Sequence, residues 1–501
     1  MTKTVVIVGG GSAGWLTAGI IAARHNPLGE AGQGTKVILL ESPDVANLGV
    51  GEGTWPTMRD TLRRIGISEG DFLRACDVGF KQGSQFINWQ RGEGESYYHP
   101  FVPPAGYGSV NLAAHWLDKA VDSTFADAVS PQGKVCDLGL APKTARTPEY
   151  AFGLNYGYHL NAGKFVELLK RHCVDKLGVD YQLGHVDQIL SDENGDISAL
   201  LLTAGDKISG DLFVDCSGFR GLLIDETLQT EYEDWSNWLP CDSAVAVQTE
   251  SVGEPIPYTR AIARDAGWQW RIPLQSRVGN GLVFCSKYLS DDEAIKTLLS
   301  NVEGETLTEP RVIKFRTGQR RQHWNKNCIA LGLASGFVEP LESTSIHMVQ
   351  RGIIRLLQMF PLDGIRKPDV EEFNTQMREE FLFIRDFIVL HYHVTERDDT
   401  RFWRHCKTMP IPESLQHRIE LFKQTGKVFQ KAGDVFAENS WTQVMLGQGL
   451  MPEQYHSIVN MMSDQELKSF LENIKHNVDR LVEQLPNHKQ FVDNYCKAEA
   501  M

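Results

Sequence analysis

The residues Gly9-Gly10-Gly11-Ser12-Ala13-Gly14 constrain the fold of this chain more than any other stretch. They form a GxGxxG turn directly after a β-branched run, Thr4 to Val8, and directly before an apolar segment with helical spacing that starts at Ser12. A strand that enters a helix through such a turn can bring its backbone against a pyrophosphate. The glycines permit the tight turn and the close approach, and the helix N-terminus adds amide donors and the positive end of its dipole. A glycine-rich loop, Asn26 to Thr35, leads to a second apolar strand, Lys36 to Leu40, and completes a βαβ unit. Glu41 closes that strand, where a carboxylate can accept ribose hydroxyls, and the long loop explains its distance of 27 residues from Gly14. Gly9, Gly11, Ser12, Ala13, Gly14 and Glu41 are thus the expected dinucleotide contacts.

The rest of the chain sets bounds. With 501 residues, 42% hydrophobic and 23% charged, it can bury a large core as one domain or two joined lobes. Its net charge of −14 disfavours nucleic acid and anionic membrane. Nine scattered Cys, with no CxxC pair and no zinc-like His/Cys spacing, read as reduced thiols. No metal site is expected, and no run is long enough to span a membrane, which points to a cytoplasmic protein.

Strand patterns at Ser198 to Thr203, Leu212 to Cys216, Ala244 to Thr249, Gly281 to Cys285, Arg311 to Phe315 and Cys328 to Leu331 predict a mixed sheet. Residues about 91–148, rich in Gly, Pro and aromatics, read as long substrate-side loops. Beyond Lys367 helical spacing dominates, clearest over Ser463 to Leu485 with a Ser463/Glu466 capping box. The expected architecture is an α/β, dinucleotide-binding Rossmann-like body with a mixed sheet over residues 1–366, with a mainly helical substrate lobe over 367–501 packed on it.

Two later segments, Asp211 to Arg220 (DLFVDCSGFR) and Ile329 to Thr344 (IALGLASGFVEPLEST), each set a short apolar strand before a small-residue turn, and look like those of FAD-dependent monooxygenases. No second GxGxxG provides for a pyridine nucleotide. Trp268-Gln269-Trp270-Arg271-Ile272-Pro273 has the form WxWxIP, and with the glycine motif it makes the chain resemble the flavin-dependent tryptophan/indole halogenases. Gly49 to Thr54 (GVGEGT), Phe80-Lys81 followed by Gly83, the DCSGFR run, Glu339 to Thr344, Tyr156 to Leu160 and Thr395 to Trp403 look like the same family.

The resemblance implies that FADH2 reacts with O2 to a hydroperoxide that oxidises halide, and that hypohalous acid then travels through the protein to a separate arene site. It implies a separate flavin reductase, and a homodimer is a further expectation. Trp268, Trp270, Ile272 and Pro273 would form a barrier between flavin and substrate; an ordinary aromatic core strand is the alternative. Lys81 matches the catalytic lysine, which hydrogen-bonds hypohalous acid or becomes a haloamine. Glu342 matches the glutamate that polarises the oxidant and takes the ring proton, and it also stands where a helix begins. Gly51, Gly332, Ser343, Thr344 and Ser345 would lie on the cofactor side. Ser345 replaces a glycine common in the family at the halide-binding amides, which leaves bromide or chloride open and favours the larger ion. Leu333 stands where many FAD hydroxylases carry Asp, against the competing assignment as an aromatic hydroxylase.

His99-Pro100-Phe101 matches the His-x-Phe pair that flanks the substrate ring, with Trp441 as the partner from the helical lobe. The family's paired tyrosines and glutamate before that Trp are not reproduced in Gly433 to Trp441, although Glu438 offers a carboxylate. Indole or a simple derivative is therefore expected over free tryptophan. His391 and His393, two apart on a helix, read as structural.

Overall fold

The computed structural model describes residues 4–25, 34–44, 51–106, 110–119, 124–455 and 462–498. Most of the Asn26 to Thr35 loop, and Gly49-Val50 of the GVGEGT segment, lie outside them. Thr4–Val8 pairs in parallel with both Lys36–Glu41 and Leu212–Asp215, and Ser12–His25 is the intervening helix. Each strand is apolar along its centre and buried on both faces there, as a parallel strand covered by helices must be. The full order in this six-stranded sheet is Trp324–Asn325, Cys328–Ala330, Leu212–Asp215, Thr4–Val8, Lys36–Glu41, Asp180–Leu183.

A seven-stranded sheet runs in the order Arg311–Lys314, Ser243–Glu250, Arg277–Phe284, Gly267–Pro273, Thr259–Arg264, Gly83–Ile87, Ser96–Pro100. It places the WxWxIP strand in its interior and the His99-Pro100 pair on its edge. A small third sheet sets Gly157–Asn161 between Gly51–Gly53 and Gly79–Lys81.

The stretch about 91–148 is more ordered than loops. It contains the strand Ser96–Pro100 and the helices Leu112–Lys119, Phe125–Val129 and Gln132–Asp137. Its Gly and Pro content hid helices of one to two turns, which are too short for an apolar period to repeat. From Lys367 onward the described elements are helices. The longest, Lys367–His393, buries Phe387, Ile388, Val389 and Leu390 in succession. Asp464–Gln484 begins at the Ser463/Glu466 capping box. Among the described residues no helix is long and apolar enough to cross a membrane.

Candidate active site

The glycine turn opens onto a cavity of about 510 Å³ that runs from Gly9–Ala13, past Glu41 and Gly51–Gly53, to Trp268, Trp270 and Ser343–Ser345. Each glycine of the turn has its own reason. Gly9 has φ of +125°, and a Cβ there would lie 2.2 Å from the Cys216 carbonyl oxygen. A Cβ on Gly14 would lie 1.9 Å from the Gly9 carbonyl oxygen, so this glycine lets the helix pack on the strand. A Cβ on Gly11 would meet nothing within 4 Å: its missing side chain leaves an open cradle beside the helix N-terminus. Glu41 stands at the end of its strand, 3.2 Å from Lys170 Nζ, with its side chain partly open to the cavity. These residues fit the pyrophosphate and ribose of a dinucleotide, and Gly332 lines the same wall.

Trp268, Trp270 and Ile272 alternate onto one face of their strand and form another wall. A Cβ on Gly281, directly across from Trp270, would lie 1.9 Å from the Trp270 ring, so the indole lies flat over its neighbour's glycine. Trp268 Nε1 donates to Glu339 Oε2 at 2.6 Å, and the Tyr392 hydroxyl donates to the same oxygen at 2.6 Å. Burial raises the Glu339 carboxyl to about 7. Pro273 ends the strand at the turn to Arg277.

Lys81 and Glu342 lie on the far side of Ser343. Lys81 is 1% exposed, and its Nζ donates to Ser343 Oγ at 2.6 Å and lies 5.4 Å from the centre of the Phe101 ring. Burial lowers its pKa to about 8, against the opposing pull of the Glu342 charge. Ser343 is a non-glycine residue in the left-handed region, φ 57°, between the Pro340–Glu342 turn and the Thr344–Gln358 helix. Its backbone strain is held by packing on both sides. It lines the cavity with Thr344 and Ser345 while its hydroxyl meets Lys81, so one residue joins the cavity wall to the lysine.

Glu342 Oε1 accepts from His99 Nδ1 at 2.8 Å and from His391 Nε2 at 3.1 Å. Burial would raise this carboxyl, but the His99 charge and the hydrogen bonds from His391 and His99 outweigh it and hold the group at about 2. His391 Nδ1 also faces the Phe387 carbonyl oxygen at 2.7 Å. The ring thus bridges that carbonyl and the Glu342 carboxylate. The reading of His391 as structural gains a particular partner, the Glu342 carboxylate: helix spacing tells which face a side chain takes, not what lies opposite. His393 Nδ1 faces the Cys406 carbonyl. No cluster suited to a metal ion occurs among the described residues.

The rings near Glu342 are more numerous than His99, Phe101 and Trp441. Phe436 stacks on Phe387 at 3.7 Å, Phe387 meets Trp441 edge-on at 4.9 Å, and Trp55 meets Phe436 edge-on at 5.0 Å. His99 lies 5.8 Å from Phe387, so it reaches Trp441 through that ring. Trp55 Nε1 donates to the Glu342 carbonyl. Pro100 pairs with Gly83 in the sheet edge. Glu438 accepts from the Gln430 amide at 3.2 Å. Sequence reasoning missed Trp55, Phe387, Phe436, His391 and also Glu52, a cavity-wall carboxyl that burial raises to about 7. Glu52 was readable as the one charge in a GEG segment.

The family model for tryptophan halogenase matches residues 4–464. A tryptophan 6-halogenase from Streptomyces albogriseolus is 34% identical over 525 aligned residues, covering 97% of each chain. Among solved structures, a flavin-dependent halogenase from Xanthomonas campestris superposes with TM-score 0.94 at 45% identity, covering 100% of both chains. One from Brevundimonas sp. BAL3 gives TM-score 0.91 at 39% identity over 99% of both chains.

Proposed function

The chain belongs to the tryptophan halogenase family, and from that premise we propose that it is an FADH2- and O2-dependent halogenase of indole or a simple indole derivative, with Lys81 and Glu342 at the arene. Bound reduced flavin and O2 supply the oxidising equivalent that converts halide to hypohalous acid. Gly9–Gly14, Glu41, Gly51 and Gly332 would hold that cofactor. A separate flavin reductase and a cytoplasmic setting belong to the same proposal.

The observation that carries the reading is the division at Ser343. Trp268, Trp270 and Ser343 line the cavity that fits a dinucleotide, while Lys81 and Glu342 are not part of that lining and Lys81 meets the Ser343 hydroxyl. Direct oxygen transfer needs substrate against the cofactor, and this arrangement favours a diffusing oxidant instead. Lys81, held near neutrality by burial, takes the halogen: its amine displaces water from hypohalous acid, forming an N–X bond. The ring's π electrons then form the C–X bond as N–X breaks, and Glu342 accepts the ring proton and returns it to the nitrogen, which regenerates the amine. An arenium ion is acid enough that a carboxylate of very low pKa suffices as base. The sum is arene and hypohalous acid going to haloarene and water.

The substrate reading rests on Phe436. With Phe387 it gives the pocket an apolar stacked pair, and Glu438 is already engaged by the Gln430 amide. These surroundings suit a flat arene without a zwitterionic side chain. Photoreduced FAD, O2 and bromide are expected to give haloindole from indole, and much less product from tryptophan, by mass spectrometry. A hydroxylated product without halogen would overturn the halogenase reading.

Glu342→Gln keeps the shape and removes the base. Its expected effect is a fall of about 100-fold in halogenation rate, with flavin affinity unchanged by fluorescence titration. Unaltered turnover would return Glu342 to a purely helix-starting role.

A further inference from the structure

The strand that carries Lys81 lies at the edge of its sheet, and a helix from the far end of the chain covers that edge. Gly79–Lys81 pairs on one side only, with Gly157–Asn161. On the other side the Phe80 amide donates to His488 Nε2 at 3.1 Å, and the Gln82 amide donates to the Pro257 carbonyl at 2.7 Å. Lys81 therefore sits between two amides whose partners both come from outside the sheet. An edge strand left without such partners has nothing to fix its position on that side.

His488 is built for this contact. It opens the helix His488–Tyr495 and is 1% exposed. Its Nδ1 lies 2.7 Å from the Pro255 carbonyl oxygen, which can only accept, so Nδ1 carries the hydrogen and Nε2 offers its lone pair to Phe80. Burial lowers its pKa to about 4, which keeps that lone pair available at neutral pH. The backbone that carries the ring is tied down as well, because the His488 amide donates to Gly139 and the Ala141 amide donates to Pro486. The ring sits close to Gly79, where a Cβ would be in van der Waals contact with it at 3.4 Å. Phe491, one turn on, packs edge-on against Phe80 at 5.3 Å. This helix lies outside residues 4–464, the span that the family match covers.

We propose that His488 is a positioning residue for halogen transfer: by accepting the Phe80 amide it fixes the edge strand that holds Lys81 Nζ between Ser343 and Phe101. The proposal rests on Lys81 as the group that carries the halogen. A side chain that must hold a halogen over one ring carbon tolerates little drift, since misplacement by about 1 Å can cost 100-fold in rate.

The test compares His488→Phe, which keeps a ring and loses the acceptor, with His488→Gln, whose amide can accept from Phe80 and donate to Pro255. Three quantities are read: haloindole formed per reduced FAD, free oxidant trapped by monochlorodimedone, and hydrogen–deuterium exchange of the peptide containing Phe80 and Lys81. His488→Phe is expected to lower haloindole about tenfold or more, to raise trapped oxidant, and to speed exchange in that peptide, with FAD affinity unchanged. His488→Gln is expected to restore most of the coupling and the slow exchange. Faster exchange with undiminished haloindole overturns the proposal, and so does equal loss in both variants. If the unaltered protein makes trapped oxidant but no haloarene from any substrate, the halogenation reading itself fails, while the exchange data still report on the hydrogen bond.

Discussion

Lys81→Ala is expected to abolish arene halogenation, by about 100-fold or more, while reduced flavin still binds and O2 is still consumed. The separation of effects follows from position. Lys81 is buried beside Ser343 and does not line the cofactor cavity, so its loss removes the acceptor of the oxidant and touches the cavity only through the Ser343 hydroxyl. Oxidant should then escape and be trapped in solution. The pH dependence gives the sign of the mechanism. Burial brings the Lys81 amine to about 8, so its neutral, nucleophilic fraction grows as pH rises through that value. Haloindole formation at saturating reduced flavin is expected to climb between pH 7 and 9 and then level off. A fall over the same interval would assign Lys81 as a protonated hydrogen-bond donor instead. Haloindole at the normal rate from Lys81→Ala would remove it from the mechanism altogether.

The contrast between Lys81 and the residues around it marks what a sequence can disclose. The glycine turn was legible because each glycine answers to a local demand. Gly9 needs a positive φ and Gly14 a close helix–strand approach, and both demands arise within a few residues of chain. The strands that flank the turn were legible for the same reason, through β-branched runs buried on both faces. Lys81 and Glu342 were recognisable only within a family pattern, since one buried lysine looks like any other in composition. His391 and Phe436 were illegible because their meaning comes from across the molecule. His391 acquires its role from Glu342, 49 residues earlier in the chain, and Phe436 from Phe387 on the Lys367–His393 helix. Helical spacing could not say which group the His391 face met, and Phe436 lies in the bend before the Glu438–Gly447 helix, where no period operates. The short helices within 91–148 were hidden differently, by being shorter than the period that would reveal them.

Gly11→Ala is expected to separate cofactor binding from folding, which the other glycines of the turn cannot do. A methyl on Gly14 would collide with the Gly9 carbonyl at 1.9 Å, and one on Gly9 with the Cys216 carbonyl at 2.2 Å, so those substitutions must disturb the βαβ unit itself. At Gly11 a methyl meets no protein atom within 4 Å, and its φ is not in the left-handed range. The flavin-free protein should therefore unfold within about 0.5 kcal/mol of the unaltered chain. The methyl would instead occupy the cradle in front of the Ser12–His25 helix, where the pyrophosphate needs backbone amides at hydrogen-bond distance. Losing that approach should weaken FAD by about 100-fold, or about 2.7 kcal/mol. Thermal unfolding without flavin and fluorescence titration with FAD measure the two terms independently. Unfolding at a much lower temperature would mean that Gly11 serves the fold. Unchanged affinity would mean that the cofactor's phosphates lie elsewhere along the cavity, and that Ser217 and Gly218, on the neighbouring strand's turn, face them instead.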